Sequence, residues 1–448
     1  MSLSFRNFVL QSIPDTKYQF SNTQFMEAYA QALNIAVPFF LLLITIEAVA
    51  SRLMGVEVNR GADMISSLSS GITNVVKDVL GLSIAIVSYG WMVQHLAIFE
   101  IKATWLVFVL AFVAKDFAGY WMHRLEHTVN FLWNRHIIHH SSEEFNLSCA
   151  LRQSISEVFT FITFFMLPAA LLGIPVQVVA VIAPIQLFAQ FWYHTRLIGK
   201  MGPLESFLVT PSHHRVHHAM NPEYLDKNYG QIFIIWDKIF GTFQPELPDV
   251  PPVYGVKRPV NTWNPILIGW QHFWLLLTDA WHAHNWWDKL RLWFMPTGWR
   301  PADVAAAYPV SIVEDVWHLE KYDTCPSPAL TAWSWVQLFV TLLLMFYLFN
   351  QIANIGMPGM FWYGAFLFAS VFSYTTLMDK SRWAILTEIV KVAFGFLLLW
   401  WQGGDWFGLG GLWPMGVYLL AGLLLVSLGA VVYFSRTEVG QEQVSRGW

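Results

Sequence analysis

The sequence predicts an all-α integral membrane protein: a multi-helix transmembrane bundle with a helical cap on the cytosolic side carrying a histidine-rich di-metal site. Three observations lead there. Only 12% of the 448 residues are charged while 55% are hydrophobic, against about 25% charged in soluble domains. Several apolar runs approach the ~20 residues a helix needs to cross a hydrocarbon core. The histidines are grouped, with five of fifteen falling in the stretch HRLEHTVNFLWNRHIIHH, His123 to His140.

The clearest apolar runs are Ala32–Ala50, Trp105–Ala118, Val158–Pro184, Ser334–Ile352, Phe361–Leu377, Ala384–Trp401 and Val417–Phe434. Leu80–Ile98 is weaker, since it contains Gln94 and His95. Seven or eight membrane segments follow, with a polar hairpin at Ser51–Asp78. Pro168, Pro175 and Pro184 favour breaks or a re-entrant shape in the third run. The 24 Trp suit aromatic belts at two interfaces. The first residues, MSLSFRNFVLQSIPDTKYQF, do not read as a cleaved signal peptide.

The chain divides into a polar lead-in (1–28), a membrane core with the histidine groups (29–244), a polar linker and membrane-surface segment (245–332) and a C-terminal transmembrane region (333–448). The region from Thr195 to Thr331 is polar and rich in Lys and Arg, which places it on the cytoplasmic side. A net charge of −4 gives no basic stripe, so nucleic acid is not a partner to expect. With Cys149 and Cys325 alone, neither a disulfide framework nor C-x-x-C chemistry is available.

His123 and His127, four apart on a helix, lie on one face ~40° apart. His136, His139 and His140 form H-x-x-H-H, and His214, His217 and His218 repeat that spacing in PSHHRVHHAMN. The three- and four-residue spacings within each such group are expected to converge. His127 and His136 would stand ~180° apart on one helix, so a bend near Asn130–Asn134 is needed. His194 is a further candidate at the end of the second apolar pair. A tetrahedral zinc takes four ligands, and eight or nine imidazoles point to two metals. A thiolate-free imidazole site suits iron, copper or zinc rather than magnesium or calcium. His213 stands outside the repeated pattern; His95, His272, His282, His284 and His318 read as structural or surface residues.

H-R-L-E-H also matches the H-x-x-E-H pattern of a zinc peptidase class. That chemistry has no use for six more clustered histidines, so an intramembrane peptidase is a remote alternative. A metal transporter or sensor is another, and would favour ionisable groups within several spans. Glu126 then becomes a candidate neighbour of the ligands. Asp116, seven residues before His123 in LVFVLAFVAKDFAGYW, needs a partner in so apolar a helix. It is the other candidate, either for supporting a ligating imidazole, whose second N–H commonly goes to a carboxylate, or for a structural polar network.

HRLEH, HIIHH and HRVHH, in that order after membrane helices, resemble the boxes of the fatty acid hydroxylase superfamily (the sterol desaturase family), over roughly Trp105 to Phe243. HHSSEEFNLSCALRQS, TPSHHRVHHAMNPEYLDKNYGQIFIIWDKIFGTF and the apolar C-terminal third look most like its alkylglycerol monooxygenase branch. The resemblance implies a membrane di-iron monooxygenase that hydroxylates a lipid C–H bond with O₂ as co-substrate. The branch implies cleavage of an alkylglycerol ether bond; other branches imply sterol, sphingolipid or fatty acyl hydroxylation or desaturation. His123, His127, His136, His139, His140, His214, His217 and His218 would be the box ligands, and His194 falls at the family's additional histidine. Two irons are implied, with zinc able to replace them in a purified sample. An electron donor is required, tetrahydrobiopterin by resemblance to the branch, with a cytochrome or ferredoxin as the alternative. No cofactor-binding residues are assigned. Thr128 departs from the branch, which has Glu directly after the second histidine of the first box. A bacterial inner membrane or the endoplasmic reticulum is the expected location.

Overall fold

The computed structural model describes residues 22–82, 84–85, 87–157, 159–160 and 162–439. Residues 1–21, most of the expected polar lead-in, lie outside the described residues. Among those described, six helices are long and apolar enough to cross a membrane, two fewer than the upper expectation. Among the described residues the regular structure is helical apart from a two-residue parallel pairing of Ile84–Ala85 with Phe159–Thr160 and two isolated antiparallel bridges, Leu208 with Phe233 and Ala219 with Tyr254.

Helix α1 (Asn22–Met54) is the first candidate span, and α2 (Gly61–Val79) follows it into the centre of the molecule. Most of the expected polar hairpin Ser51–Asp78 is therefore a buried helix. Several of its polar side chains are tolerated because they find partners. Ser69 Oγ meets Tyr374 Oη at 2.6 Å, Ser70 Oγ donates to the Gln153 carbonyl at 3.0 Å, and Lys77 Nζ donates to the Ser154 carbonyl at 3.0 Å. Leu80–Ile98 does not span, since its helix is only Tyr89–Leu96.

Helix α3 (Trp105–Thr128) is capped by Thr104, whose hydroxyl accepts from the Val107 amide. It ends at Val129, which is extended (φ −120°, ψ 121°), and α4 (Asn130–His140) starts at once. The bend required by the histidine spacing thus falls one residue before the expected stretch. The fully buried Asn130 side chain fixes it, donating to the Leu292 and Trp299 carbonyls at 3.0 and 2.9 Å and accepting from the Gly298 amide at 3.0 Å. The run Val158–Pro184 is no single span. It breaks into Ile162–Phe165, Leu167–Leu171 and α5 (Val176–Ala189), with Pro168 and Pro175 at the starts of the second and third pieces.

Helix α6 (Pro211–His218) carries the last histidine group, and α7 (Pro265–His282) packs along α4. The C-terminal third is a bundle of four spans: α8 (Pro328–Ile355), α9 (Gly359–Met378), α10 (Ala384–Trp401) and α11 (Pro414–Phe434). Helix α8 packs on α1, α2 and α9, so this bundle shares one apolar core with the N-terminal helices. Within lipid, close helix approach depends on small residues. A Cβ added at Gly364 of α9 would stand 2.3 Å from Leu80 Cδ1.

Candidate di-metal centre

Helices α3, α4 and α6 each carry their histidines in their C-terminal turns. The nine predicted imidazoles gather into two groups whose ligand atoms lie within 4.8 Å of one another: His123, His127, His136, His140 and His217 in the first, His139, His194, His214 and His218 in the second. The H-x-x-H-H boxes do not each converge on one point, as the sequence reading expected. Each splits. Residues four apart share a helix face while the intervening i+3 residue is followed directly by its neighbour ~100° around. His136 and His140 enter the first group and His139 the second; His214 and His218 enter the second and His217 the first. His140 and His218 stack across the boundary, ring centroids 4.3 Å apart.

Backbone carbonyls fix several of the rings. The Nδ1–H of His123 donates to the Tyr229 carbonyl (2.8 Å), that of His139 to Arg152 (3.3 Å), that of His194 to Gln190 (3.0 Å) and that of His217 to Lys227 (3.0 Å). Each such bond leaves Nε2 as a bare lone pair. Those lone pairs face each other: His123 and His136 Nε2 are 2.9 Å apart, and His139 and His194 Nε2 are 3.3 Å apart. His214 Nε2 lies 2.8 Å from His194 Nε2 and 3.0 Å from His218 Nε2. The Nε2 atoms of His127, His140 and His217 are buried with no hydrogen-bond partner. Burial, reinforced by neighbouring rings, holds His136, His140, His214 and His218 well below the usual imidazole range, and His194 falls to about 3. Neutral imidazoles with converging lone pairs need a cation between them. Two ligands of one ion at ~2.1 Å stand ~3.0–3.4 Å apart, close to these spacings. The donor set therefore fits two metal ions.

The other histidines lie elsewhere. His213 donates toward the Leu208 carbonyl and packs on Phe243. His272 Nε2 meets the Asn130 carbonyl at 3.0 Å and so supports the bend. His282 and His284 sit by Thr278 and Asp303, His318 by Asp315 and His95 by Trp91.

Glu126 Oε2 stands 3.6 Å from His136 Nδ1, beside the first group. Asp116 touches no imidazole. Its carboxylate accepts from the Ile232 and Phe233 amides at 2.9 and 3.2 Å and from Trp236 Nε1 at 2.9 Å, pinning the segment that follows Tyr229. Of the two roles the sequence offers it, this is the structural polar network: α3 turns residue 116 toward that loop rather than toward the rings. The residue the sequence reading missed is Asp237, whose oxygens accept from the Tyr229 and Gly230 amides, both at 2.7 Å. It fixes the peptide whose carbonyl orients His123.

A cavity of about 440 Å³ opens onto both groups, reaching His123 and His136 of the first and His139, His194 and His214 of the second. Its other walls are largely apolar, from Val37 and Phe40 of α1, Ile72 of α2, Leu187 of α5 and Leu342 of α8. Polar side chains also line it, Lys115 and Gln231 among them, and a charged patch stands beside His136: Arg135 Nη2 lies 2.5 Å from Glu157 Oε1 and 3.3 Å from Glu126 Oε1.

A helical fold with six candidate membrane spans and two imidazole groups that could hold metal, lining a largely apolar cavity, is the class of a membrane lipid hydroxylase. The fatty acid hydroxylase family model matches residues 108–242, the part holding all nine histidines. The chain is 35% identical over 382 residues to a human alkylglycerol monooxygenase, covering 84% of each chain. It is 28% identical over 183 residues to an ornithine lipid hydroxylase of Rhizobium tropici, covering 41% of this chain and 53% of that one. A Delta(7)-sterol 5(6)-desaturase of Gibberella zeae is also 28% identical over 183 residues, 38% of this chain and 48% of the desaturase. No solved structure matches. The chain belongs to the alkylglycerol monooxygenase family. It is an oxidoreductase, a multi-pass membrane protein that oxygenates a lipid.

Proposed function

We propose that this protein cleaves the ether bond of alkylglycerols, with two irons held by His123, His127, His136, His140 and His217 and by His139, His194, His214 and His218. The observation that carries the reading is the apolar cavity ending on both imidazole groups, since it would lay an alkyl chain against them. The coverage of the human alkylglycerol enzyme extends through 84% of the chain, whereas the ornithine lipid hydroxylase and the sterol desaturase match over 183 residues only.

When bound, the ions would supply O₂ activation and oxidation of a C–H bond. The overall balance is that O₂, two electrons and two protons convert the CH₂ next to the ether oxygen into CH(OH), with one water released. The resulting hemiacetal then breaks its C–O bond to give an aldehyde and the freed glycerol hydroxyl. The chain's own part is to gather nine buried imidazoles, with His123, His139, His194 and His217 held in orientation by backbone carbonyls. Its apolar walls exclude water and align the alkyl chain. The electrons come from a separate donor; the family favours a reduced pterin, and a cytochrome or ferredoxin is the alternative. The basic excess of the Thr195–Thr331 region favours the cytoplasmic face for the centre.

A second reading, hydroxylation of a different lipid, is favoured by Thr128, whose hydroxyl turns back to its own helix and donates to the Arg124 carbonyl at 2.9 Å. Aerobic turnover of the purified protein on a panel of alkylglycerols, sterols and acyl lipids, with metal counting on the same sample, tests both. Two irons per chain and oxygen-dependent aldehyde release from alkylglycerols are expected. Oxygen-independent activity, or one zinc with peptide cleavage, would overturn the proposal.

A further inference from the structure

The polar patch beside His136 has more hydrogen-bonding capacity than the protein uses. Arg135 is the residue before His136 on α4, and its side chain is 9% exposed. Its Nη2 is engaged by Glu157 and Glu126, but its Nε and Nη1 are buried with no hydrogen-bond partner. A buried guanidinium donor left unmade costs about 1–3 kcal/mol or more, and no protein atom meets these two donors beside the cavity. Arg135, Glu126 and Glu157 all line the same cavity as His123 and His136. The patch offers donors from a guanidinium and acceptors from two carboxylates side by side. A vicinal diol, which donates and accepts at each oxygen, is matched to that pairing; an anion would be repelled by the two carboxylates, and an alkyl chain would leave the donors unmet.

We propose that Arg135, Glu126 and Glu157 form the seat for the hydroxylated headgroup of the substrate, and that this seat sets which carbon reaches the imidazole groups. The inference rests on the alkylglycerol reading and deepens it. In a glycerol ether the reacting CH₂ is only a few bonds from the two hydroxyls. The seat must therefore adjoin the centre, and Glu126 Oε2 is 3.6 Å from His136 Nδ1. The alkyl tail then runs the other way, along the apolar walls of α1, α2 and α8.

Arg135→Lys tests it, because lysine keeps a cation for Glu157 yet cannot present the two spare donors in the same fork. The measurements are kcat and KM for a 1-O-alkylglycerol and for the matching alkyl propyl ether without hydroxyls, with equilibrium binding of both lipids and a metal count. The preference for the diol over the deoxy ether should fall about 10- to 100-fold, mostly in KM and in binding, with metal content kept. An equal change for both lipids would overturn the seat, as would loss of metal, which would make Arg135 a support for His136. A KM change confined to the electron donor would assign the patch to that molecule instead and also overturn it. If wild-type protein oxidises no ether lipid, the alkylglycerol reading fails on its own. The seat is then judged by the same diol-to-deoxy binding ratio, where an unchanged ratio in Arg135→Lys rejects it.

Discussion

His140 and His218 stack almost face to face, ring centroids 4.3 Å apart and planes 19° from parallel, yet their nitrogens belong to different imidazole groups. The two groups therefore share a wall. The same division runs through both H-x-x-H-H boxes, where adjacent histidines serve opposite sides: His139 against His140, and His217 against His218.

That division makes metal stoichiometry the sharpest test of the centre. His139→Ala and His140→Ala should each reduce a two-metal protein to about one ion per chain, and each should lower activity at least about 100-fold. His282→Ala, on an exposed ring hydrogen-bonded to Thr278, should keep both ions and full turnover. Elemental analysis of the purified variants reads this directly. Loss of both ions from each box variant would mean that the groups do not bind separately.

Asp237→Ala should weaken the centre from outside it. The substitution leaves the Tyr229 and Gly230 amides and the Thr242 hydroxyl without their acceptor, a loss of about 2–5 kcal/mol of stability. It also frees the carbonyl that orients His123, so metal affinity should fall about 10- to 100-fold. Asp116→Ala unpins only the following segment and should lower the thermal midpoint with a smaller effect on metal. Thermal unfolding with and without chelator separates the two; equal metal affinity in both variants would reject the ordering.

Much of this was readable from the chain because the chemistry is concentrated in side chains with few other uses. A membrane fold follows from scarce charge, and three histidine boxes are hard to place anywhere but around metal. The assignment of each histidine to a group was not readable, because it depends on how α3, α4 and α6 are rotated against one another. Asp116 drew attention because a carboxylate is costly in an apolar helix, but its partner is a loop amide brought near by tertiary folding. Asp237 lies in the aromatic run IFIIWDKIF, but its partners, the Tyr229 and Gly230 amides, come to it only in the folded turn. Val158–Pro184 is apolar enough to span, and its prolines divide it; hydropathy alone overcounts there. Helix α2 was hidden for the opposite reason, since its serines find partners only once the chain is folded.

The apolar cavity predicts a chain-length effect. Leu342 on α8 is part of its apolar wall, so Leu342→Trp should reduce the space left for an alkyl tail. Turnover of the longest alkyl chains should drop about 10-fold or more while short chains are spared. A profile of kcat/KM against chain length measures this. A uniform loss at all lengths would place the alkyl tail elsewhere.

The C-terminal bundle holds a second buried polar cluster, in which Glu388 on α10 accepts from Ser373 and Ser427, each at 2.6 Å, and pairs with Lys391 Nζ at 2.7 Å. Lys391 Nζ also donates to Ser427 Oγ at 2.9 Å. The two charged side chains are 1% and 4% exposed. A buried pair whose every partner is present is costly to break and cheap to replace whole. Glu388→Ala should therefore cost about 3–5 kcal/mol by stranding the lysine, and Lys391→Ala a similar amount. Glu388→Leu with Lys391→Met should be near neutral, since both charges leave together and the helices repack through apolar contacts. Because α10 makes no contribution to the imidazole groups or to the cavity wall, the double variant should keep its metals and its specific activity. Thermal unfolding in detergent or nanodiscs, analysed as a double-mutant cycle, gives the coupling. A double variant that folds but loses turnover would show that the cluster takes part in function rather than only holding α9, α10 and α11 in register.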